Sequence, residues 1–463
     1  MATINKKNKT KFNNNNLFNF IDLCCGIGGF HSAIKKIENI NSNLVFSADI
    51  DKNCRKTYSL NYGKTPEKDL TCLDLDKLVG DTNINGICAG FPCQPFSYAG
   101  KRLGLDDIRG TIIYYILDMI SRYKPDLVCL ENVKGIKSMI NQDKNGVKIS
   151  IYEFIKQNLD NNGYFVYDRI ISPHEINIPQ KRERVVFVCV KKSLLPLYTI
   201  QDYITNFNQE IQTLISDTRC SNKSLKILED DNTVEKRFLL KGVKKTSLEL
   251  WEKFVSLPEW DTITNQELLD IYNNKLNKKS RINFKQYHFF LNFRDFQTSC
   301  EIPDSLKHLR TRDISVCFKS ACDIWNLLYD NHDGLKQLID RFLNENQQTI
   351  DTLPFLLRYL DYSGGEDYCS TTTLNNKYAQ IRQSGLRVRK GGIFPTLVKS
   401  GQRPIIVGKM RYLTNIEMLR LQSFPDDFKT INDSTIMKQC GNAVNTEVIR
   451  IMIQSGFNLI NKK

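Results

Sequence analysis

The 463-residue sequence lacks several patterns that would set it apart from ordinary globular proteins. It has no run of about 18 apolar residues, so no segment is expected to cross a membrane. The N-terminus carries lysines and an asparagine run at residues 13–16, without the apolar core of a secretory signal. No repeat of about 20 to 50 residues is visible. We therefore expect a globular, cytoplasmic protein with a disordered basic tail over residues 1–17.

The 14 cysteines follow no pattern typical of a disulfide framework or a zinc site. Cys317 and Cys322 lie close in sequence, but no second pair of Cys or His follows at ligand spacing. The sequence therefore predicts reduced thiols and no bound metal.

Basic residues outnumber acidic ones, with 65 Lys and Arg against 51 Asp and Glu and a formal charge of +14. Such an excess favours a polyanionic partner such as nucleic acid. An enzyme with no nucleic-acid partner can have the same composition, so charge alone leaves both interpretations open.

Short apolar strands alternate with helical segments up to about residue 190, which predicts an α/β domain with a parallel sheet. Strands are predicted over residues 17–23, 44–48, 84–89, 127–131 and 184–190. Helices are predicted over residues 33–37, 53–60, 112–120 and 151–159. The regular pattern is lost after about residue 195 and returns near residue 391, with helices predicted over 414–422 and 446–458. A separate domain is expected between these two regions.

A glycine-rich turn follows the first predicted strand, in Asp22-Leu23-Cys24-Cys25-Gly26-Ile27-Gly28-Gly29. Glycine lets the backbone approach a ligand closely, which suits a nucleotide-like cofactor at a strand-to-helix turn. The spacing departs from the G-x-G-x-x-G fingerprint, and similar turns occur without a ligand. Asp49, at the end of the next strand, could accept hydrogen bonds from ribose hydroxyls, and Asp69 from an adenine amino group. Either aspartate could equally be a solvated turn residue.

Cys93 lies between two prolines in Phe91-Pro92-Cys93-Gln94-Pro95, after a predicted strand. Proline fixes its own φ and restricts the residue before it, so this thiol is held in a rigid loop. An isolated cysteine is more often an inert buried thiol, whereas rigid presentation near arginines favours a reactive thiolate. The glycines and basic residues over 97–109 suggest a mobile loop able to close on a phosphate backbone. A plain surface loop is the alternative.

Glu131 ends a predicted strand, at the same edge of the sheet as Cys93 if both strands run parallel. The segment Gln180-Lys181-Arg182-Glu183-Arg184 precedes another strand, where alternation places Arg182 and Arg184 on one side. A salt-bridged exposed edge would explain these two arginines equally well.

Taken together and in this order, the segments resemble the DNA (cytosine-5)-methyltransferases, chiefly those of bacterial restriction-modification systems. Residues 90–97 resemble the family's catalytic motif, residues 131–133 its glutamate motif and residues 180–184 its arginine motif. Residues 411–425 resemble a structural helix motif, and Gly441-Asn442-Ala443-Val444 resembles the last motif. The resemblance covers about residues 18–190 and 391–460, and chance assembly of so many ordered motifs is negligible.

The resemblance implies the Rossmann-like fold of S-adenosylmethionine-dependent methyltransferases, α/β with a mixed seven-stranded sheet, and a separate, smaller target-recognition domain. The catalytic domain would comprise residues 18–190 and 391–463, and the recognition domain residues 191–390. Many relatives have Phe and Trp where Cys24 and Ile50 stand here, so smaller adenosine contacts are expected. The implied cofactor-binding residues are Asp22, Cys24, Gly26, Ile27, Gly28, Gly29, Asp49, Ile50, Asp69, Leu70, Pro92, Asn442 and Val444.

The family chemistry implies a role for each residue of the motifs. Cys93 would add to C6 of cytosine, and Glu131 would protonate or hydrogen-bond ring N3. Arg184, assisted by Arg182, would bind the cytosine O2. C5 would then take the methyl group of S-adenosylmethionine, and loss of the C5 proton would release Cys93. The base would be flipped out of duplex DNA, with DNA contacts from Gln94, Ser97, Lys101, Arg109 and Thr396.

Two alternatives stay open on the sequence. A eukaryotic branch with this fold methylates cytosine in transfer RNA, but the central region is too large for that branch and its Cys-Phe-Thr signature is missing. A catalytically inactive DNA-binding homologue is disfavoured because Cys93, Glu131, Arg182 and Arg184 are all present. A third possibility, an unrelated RNA methyltransferase group, uses two active-site cysteines. Glu131 to Val133 occupy the position of the second cysteine here, which argues against that group.

We expect a monomer that acts on double-stranded DNA, with a cognate restriction endonuclease as a partner.

Overall fold

A computed structural model of the chain describes residues 17–92, 112–142, 148–222, 226–263, 265–276, 289–290, 327–353, 359–363, 377–382, 385–389, 392–399 and 403–462. Two compact units are formed. The first comprises Met1–Ile227, Val398–Gly401 and Asn415–Lys463, and the second Leu228–Leu397 and Gln402–Thr414. Several predicted site residues lie outside the described residues, namely Cys93, Gln94, Ser97, Lys101 and Arg109.

The bounds of the elements follow in chain order. The strands are β1 Leu17–Leu23, β2 Asn41–Ala48, β3 Gly86–Gly90, β4 Leu127–Val133, β5 Ile140–Gln142, β6 Lys148–Ser150, β7 Tyr164–Ile171, β8 Arg184–Lys191, β9 Phe289–Phe290, β10 Tyr359–Ser363, β11 Tyr378–Arg382, β12 Gly385–Arg389, β13 Ile405–Ile406 and β14 Arg411–Tyr412. The α-helices are α1 Gly29–Lys35, α2 Lys52–Tyr62, α3 Leu75–Val79, α4 Ile112–Tyr123, α5 Ile151–Asn161, α6 Ile200–Ser221, α7 Gly242–Val255, α8 Asn265–Leu276, α9 Asp333–Thr352, α10 Asn415–Leu421, α11 Asp433–Asn442 and α12 Thr446–Asn461.

The first unit is built on a mixed sheet with the strand order β2-β1-β3-β4-β8-β7. The strands β2, β1, β3 and β4 are parallel, and β8 is antiparallel to both of its neighbours. The central strands are apolar over nearly their whole length because helices cover both faces of such a sheet. The α/β fold with a mixed sheet that the sequence predicted is therefore confirmed.

The prediction of seven strands for this sheet was wrong, because the described residues form a sheet of six strands. Beyond the edge strand β2, a single parallel bridge joins Ala48 to Glu67. Only residues 64–68 separate Gly63, which caps α2, from Asp69, which caps the 3₁₀ helix Leu70–Cys72. This segment contributes only that one bridge to the sheet, so no seventh strand forms among the described residues.

Several elements of the first unit were not predicted, and the longest of them are β7 and α6. β7 lacks the alternation typical of a half-buried strand, because its first four residues are all buried. α6 buries Tyr203, Phe207, Ile211 and Ile215 in the core of the first unit, at a helical spacing of four residues. This packing keeps residues 191–227 with the sheet, whereas the predicted domain boundary lay at residue 190.

The C-terminal helix α12 completes the same core. Its residues Ile451, Met452 and Phe457 are buried, and the ring of Phe457 meets that of Phe18 in β1 edge to face, with 4.9 Å between centroids. Residues near the two ends of the chain therefore share one hydrophobic core. The predicted helix over residues 446–458 is confirmed.

The second unit has its own core, in which Trp251 of α7 and Phe342 of α9 are buried. Its described strands form a sheet with the order β14-β13-β11-β12-β10-β9. Thr396, a predicted DNA contact, lies in this unit and is half-buried.

Three features of the described residues bear on the predictions from composition. The nine described cysteines are all free thiols. Within the described ranges, no cluster of His, Cys, Asp or Glu could hold a metal ion. None of the helices described is both long and apolar enough to cross a membrane.

Candidate functional site

The predicted site residues of the first unit gather where β1, β3 and β4 end, at one edge of the sheet. These strands are parallel neighbours, with Leu23 opposite Ala89 and Gly90 opposite Glu131. In open α/β sheets, ligands bind outside the carboxyl ends of the strands. Pro92 follows β3 by two residues and is the last described residue before Cys93.

Glu131 is buried and paired with Arg184. The Nε atom of Arg184 lies 3.0 Å from Oε1 of Glu131, and the side chains are 19% and 11% exposed. The antiparallel register places Glu131 opposite Val186, which makes Arg184 its diagonal neighbour on the same face. Burial raises the pKa of the Glu131 carboxyl, and the positive charges of Arg184 and Arg182 oppose part of that shift. The group is therefore suited to hold and give up a proton.

Arg182 lies beside this pair, and it is only 3% exposed. Its Nη2 atom donates to the carbonyl oxygens of Gly441 and Ala443, at 3.0 Å each, and its backbone N–H donates to Oγ of Ser172. The guanidinium thus ties the segment before β8 to the C-terminal end of α11. Within the site, Arg182 holds the C-terminal motif in place and adds positive charge near Glu131.

The glycine-rich turn after β1 has an unusual backbone. Cys24, Gly26 and Gly28 have φ values of 52°, 54° and 89°, in the left-handed region that glycine adopts without strain. The N–H of Gly26 donates to Oδ2 of Asp49 at 2.7 Å, and the N–H of Asp51 donates to Oδ1 at 2.8 Å. Burial raises the pKa of Asp49, although these two bonds partly stabilise its charged form. Asp49 therefore fixes the turn.

The glycine turn is open on one side and has an exposed apolar neighbour. A Cβ atom placed on Gly26 would meet no other atom within 4 Å. Ile50, next to Asp49, is 74% exposed and offers an apolar contact surface. Asp69 uses Oδ1 to accept from both N–H and Oγ1 of Thr71, and the backbone bond is the main cause of its lowered pKa. The Oδ2 atom of Asp69 takes no part in these two hydrogen bonds.

The remaining predicted cofactor-binding residues differ in their exposure. Asp22, Ile27 and Leu70 are buried, and burial raises the pKa of Asp22 well above its usual value. Cys24 and Pro92 are half-buried, and Asn442 is exposed.

Val444 connects the glycine turn to the end of β3. A Cβ atom on Gly29 would lie 2.5 Å from Cγ2 of Val444, and one on Gly90 would lie 3.8 Å from Cγ1 of Val444. Only glycine at position 29 permits such a close approach. The structure therefore brings the last sequence motif against the first one, as the resemblance implied.

Asn132 is a site residue that the sequence reasoning missed. It is 1% exposed, and its Nδ2 donates to the carbonyl oxygen of Phe91 at 3.3 Å, while its Oδ1 accepts from the N–H of Val133. The amide thus links the end of β4 to the residue before Pro92. Its position directly after Glu131 at the end of a strand was the available signal.

Known proteins with similar sequences were found for most of the chain. A family model described as C-5 cytosine-specific DNA methylase matches residues 18–457. Type II methyltransferase M.HpaII of Haemophilus parainfluenzae is 40% identical over 177 residues, which cover 38% of this chain and 47% of that protein. M.HhaI of Haemophilus parahaemolyticus is 34% identical over 198 residues, 43% and 55% of the two chains. The chain thus spans about half the length of these two relatives.

Two further similarities extend over nearly the whole chain. Type II methyltransferase M.BanI of Aneurinibacillus aneurinilyticus is 26% identical over 451 residues, which cover 95% of each protein. The solved structure of the Entamoeba histolytica methyltransferase EhMeth is 17% identical, with a TM-score of 0.46, and covers 96% of this chain and 98% of its own.

The contact between Gly29 and Val444 can be tested with a double-mutant cycle. We expect Gly29→Ala to lower the free energy of unfolding by about 1–3 kcal/mol, because the new methyl group displaces Val444. In a Val444→Ala background the same change should cost at least about 0.5 kcal/mol less. Urea unfolding of the full chain measures both values.

Gly135→Ala is the matched control for this cycle, since a Cβ atom there would make contacts no shorter than 3.9 Å. Its effect should stay within about 0.5 kcal/mol in either background. An equal cost for Gly29→Ala in both backgrounds would show that Val444 does not pack as described.

Proposed function

This chain belongs to the C-5 cytosine-specific DNA methylase family, and from that premise we propose that it transfers a methyl group from S-adenosylmethionine to C5 of a cytosine in a specific duplex DNA sequence. The observation that carries the proposal is the buried pair of Glu131 and Arg184, at the sheet edge where the glycine turn also lies. A carboxyl group with a raised pKa beside a fixed guanidinium can protonate and hold a polar heterocycle.

The cytosine ring needs activation because its C5 is a poor nucleophile. Cys93, in the motif after β3, is the proposed nucleophile. Its thiolate adds to C6, which forms an S–C6 bond and makes C5 electron-rich. Loss of the C5 proton and of Sγ from C6 later restores the ring and frees the thiol.

Glu131 is proposed to stabilise the charge that this addition creates. As Sγ bonds to C6, electron density moves towards ring N3, and a protonated Glu131 can donate to that atom. Burial favours the protonated form of this carboxyl. Arg184 is proposed to donate to the cytosine O2, where its charge stabilises the same negative density. Arg182 acts indirectly, through the carbonyl oxygens of Gly441 and Ala443.

The cofactor pocket is proposed to comprise the turn over residues 24–29, together with Asp49, Ile50, Asp69 and Val444. When bound, S-adenosylmethionine supplies an electrophilic methyl group. Asp49 already orders the turn through the N–H of Gly26, and its carboxylate has lone pairs left for ribose hydroxyls. The exposed side chain of Ile50 is proposed to contact the adenine.

The relatives suggest a biological setting. M.HpaII and M.HhaI are Type II methyltransferases, and we propose that this chain likewise protects host DNA, in the cytoplasm and as a monomer, against a cognate endonuclease. The second unit is proposed to recognise the target sequence.

The proposed reaction is tested by mapping 5-methylcytosine at base resolution after incubation of the protein with S-adenosylmethionine and mixed-sequence duplex DNA. We expect one methylated cytosine within a short recurring sequence, and none with Cys93→Ala. Transfer RNA is included as a second substrate. Methylation of transfer RNA alone would establish the RNA alternative, and cofactor binding without methylation of either substrate would indicate an inactive DNA-binding homologue.

The role of Glu131 is tested with Glu131→Gln, which keeps the side-chain size but removes the acidic proton. We expect turnover to fall by about 10²-fold or more, because a general acid contributes roughly 10² to 10⁴. Affinity for S-adenosylmethionine should change little. Single-turnover methylation and calorimetric titration measure the two quantities.

Glu183→Gln serves as the matched control, since Glu183 lies in the neighbouring motif but forms an exposed pair with Lys134 at 3.3 Å. Its turnover should stay within about twofold of the unmodified chain, since exposed ion pairs contribute little. Equal losses of turnover in Glu131→Gln and Glu183→Gln would contradict the proposed role of Glu131.

A further inference from the structure

Tyr62, the last residue of α2, packs against the rear of the glycine turn. A Cβ atom on Gly28 would lie only 2.3 Å from Cε2 of the Tyr62 ring, so the ring lies directly against the backbone of Gly28. The Tyr62 hydroxyl donates to the carbonyl oxygen of Gly28 at 2.9 Å. This carbonyl also accepts from the N–H of Ser32, the bond that opens α1.

The Tyr62 ring is itself held by an aromatic cluster formed with His31 and Tyr58. The His31 imidazole stacks on Tyr62 with 4.0 Å between centroids and 16° between planes. Nδ1 of His31 lies 2.8 Å from the hydroxyl of the fully buried Tyr58. Burial lowers the pKa of His31 to about 3, so the stacked imidazole is uncharged near neutral pH. None of these three residues belongs to a motif that the reaction uses.

We infer that Tyr62 is a positioning residue of the S-adenosylmethionine pocket, which fixes the glycine turn from behind through its hydroxyl bond to Gly28. The inference rests on the proposed function, because it assigns the turn to that cofactor. Three hydrogen bonds then anchor the turn to residues outside its own helix, one of them from the N–H of Cys25 to the carbonyl oxygen of Ala48 at 3.0 Å. Asp49 holds the N–H of Gly26 on one side, and Tyr62 holds the carbonyl oxygen of Gly28 on the other.

The Tyr62 bond matters because glycine residues leave the backbone of this turn with many alternative conformations. Gly26 and Gly28 both have positive φ, and glycine has access to far more of φ/ψ space than other residues. Each lost anchor therefore widens the range of turn conformations in the unliganded protein. A ligand that needs a single conformation then binds more weakly, in proportion to the lost population.

The test compares Tyr62→Phe with Tyr164→Phe in the full chain. Both variants remove a tyrosine hydroxyl that donates to a backbone carbonyl oxygen, that of Gly28 for Tyr62 and that of Pro125, at 2.7 Å, for Tyr164. Tyr164 is fully buried in β7, away from the turn. Any loss of folding stability that follows from removing such a hydrogen bond is thus expected in both variants.

For Tyr62→Phe we expect the Kd of S-adenosylmethionine, measured by calorimetric titration, to rise about threefold to tenfold, the loss of one neutral hydrogen bond. The KM for the cofactor should rise with it, while kcat and the KM for DNA stay the same. Tyr164→Phe should leave the Kd unchanged. A purely structural role would lower the active fraction, and hence kcat, without a change in KM.

The outcomes separate this inference from the proposed function. If the unmodified chain binds S-adenosylmethionine and Tyr62→Phe binds it equally well, the inference is wrong and the proposed function stands. Equal increases of Kd in both variants also overturn the inference, because they show a general loss of stability. If the unmodified chain does not bind this cofactor, both claims fail.

Discussion

The pairing of a buried carboxyl group with one arginine is the constraint on which the site depends. An ionised carboxylate at this depth is costly unless a cation and hydrogen bonds compensate it. Glu131 can be compensated only because β8 runs antiparallel to β4 and starts where β4 ends, with Arg184 opposite Val133. If β8 ran parallel to β4, its C-terminal end would lie at this edge and Arg184 would lie at the opposite edge. The mixed sheet is therefore what brings Arg184 beside Glu131.

The same edge of the sheet is completed by residues from the far end of the chain. Arg182 donates to the carbonyl oxygens of Gly441 and Ala443 at the C-terminal end of α11, and Val444, the next residue, packs against Gly29. Residues 441–444 thus contact both the proposed cofactor pocket and the arginine beside the pair of Glu131 and Arg184. Since α12 also fills the core beneath β1, the first unit is built from both parts of the chain.

The sequence was sufficient to predict the α/β class, most strands of the first unit and the approach of residue 444 to the glycine turn. Those predictions depended on local patterns and ordered motifs. β7 was missed because its buried half shows no alternation. α6 was missed although its apolar residues have helical spacing, and its residues were placed in the recognition domain. The carbonyl contacts of Arg182 and the position of Tyr62 behind Gly28 depend on pairs distant in sequence, which no local pattern reveals.

The proposed covalent step can be tested most directly with duplex DNA that carries 5-fluorocytosine at the mapped target position. Fluorine at C5 cannot leave as a proton, so the elimination that frees the thiol is blocked and the S–C6 bond persists. With S-adenosylmethionine present, we predict a protein–DNA complex that survives denaturation, contains the Cys93 peptide, and is missing with Cys93→Ala. Methylation of ordinary cytosine at that site by the unmodified chain, without any stable complex on the fluorinated DNA, would contradict the account.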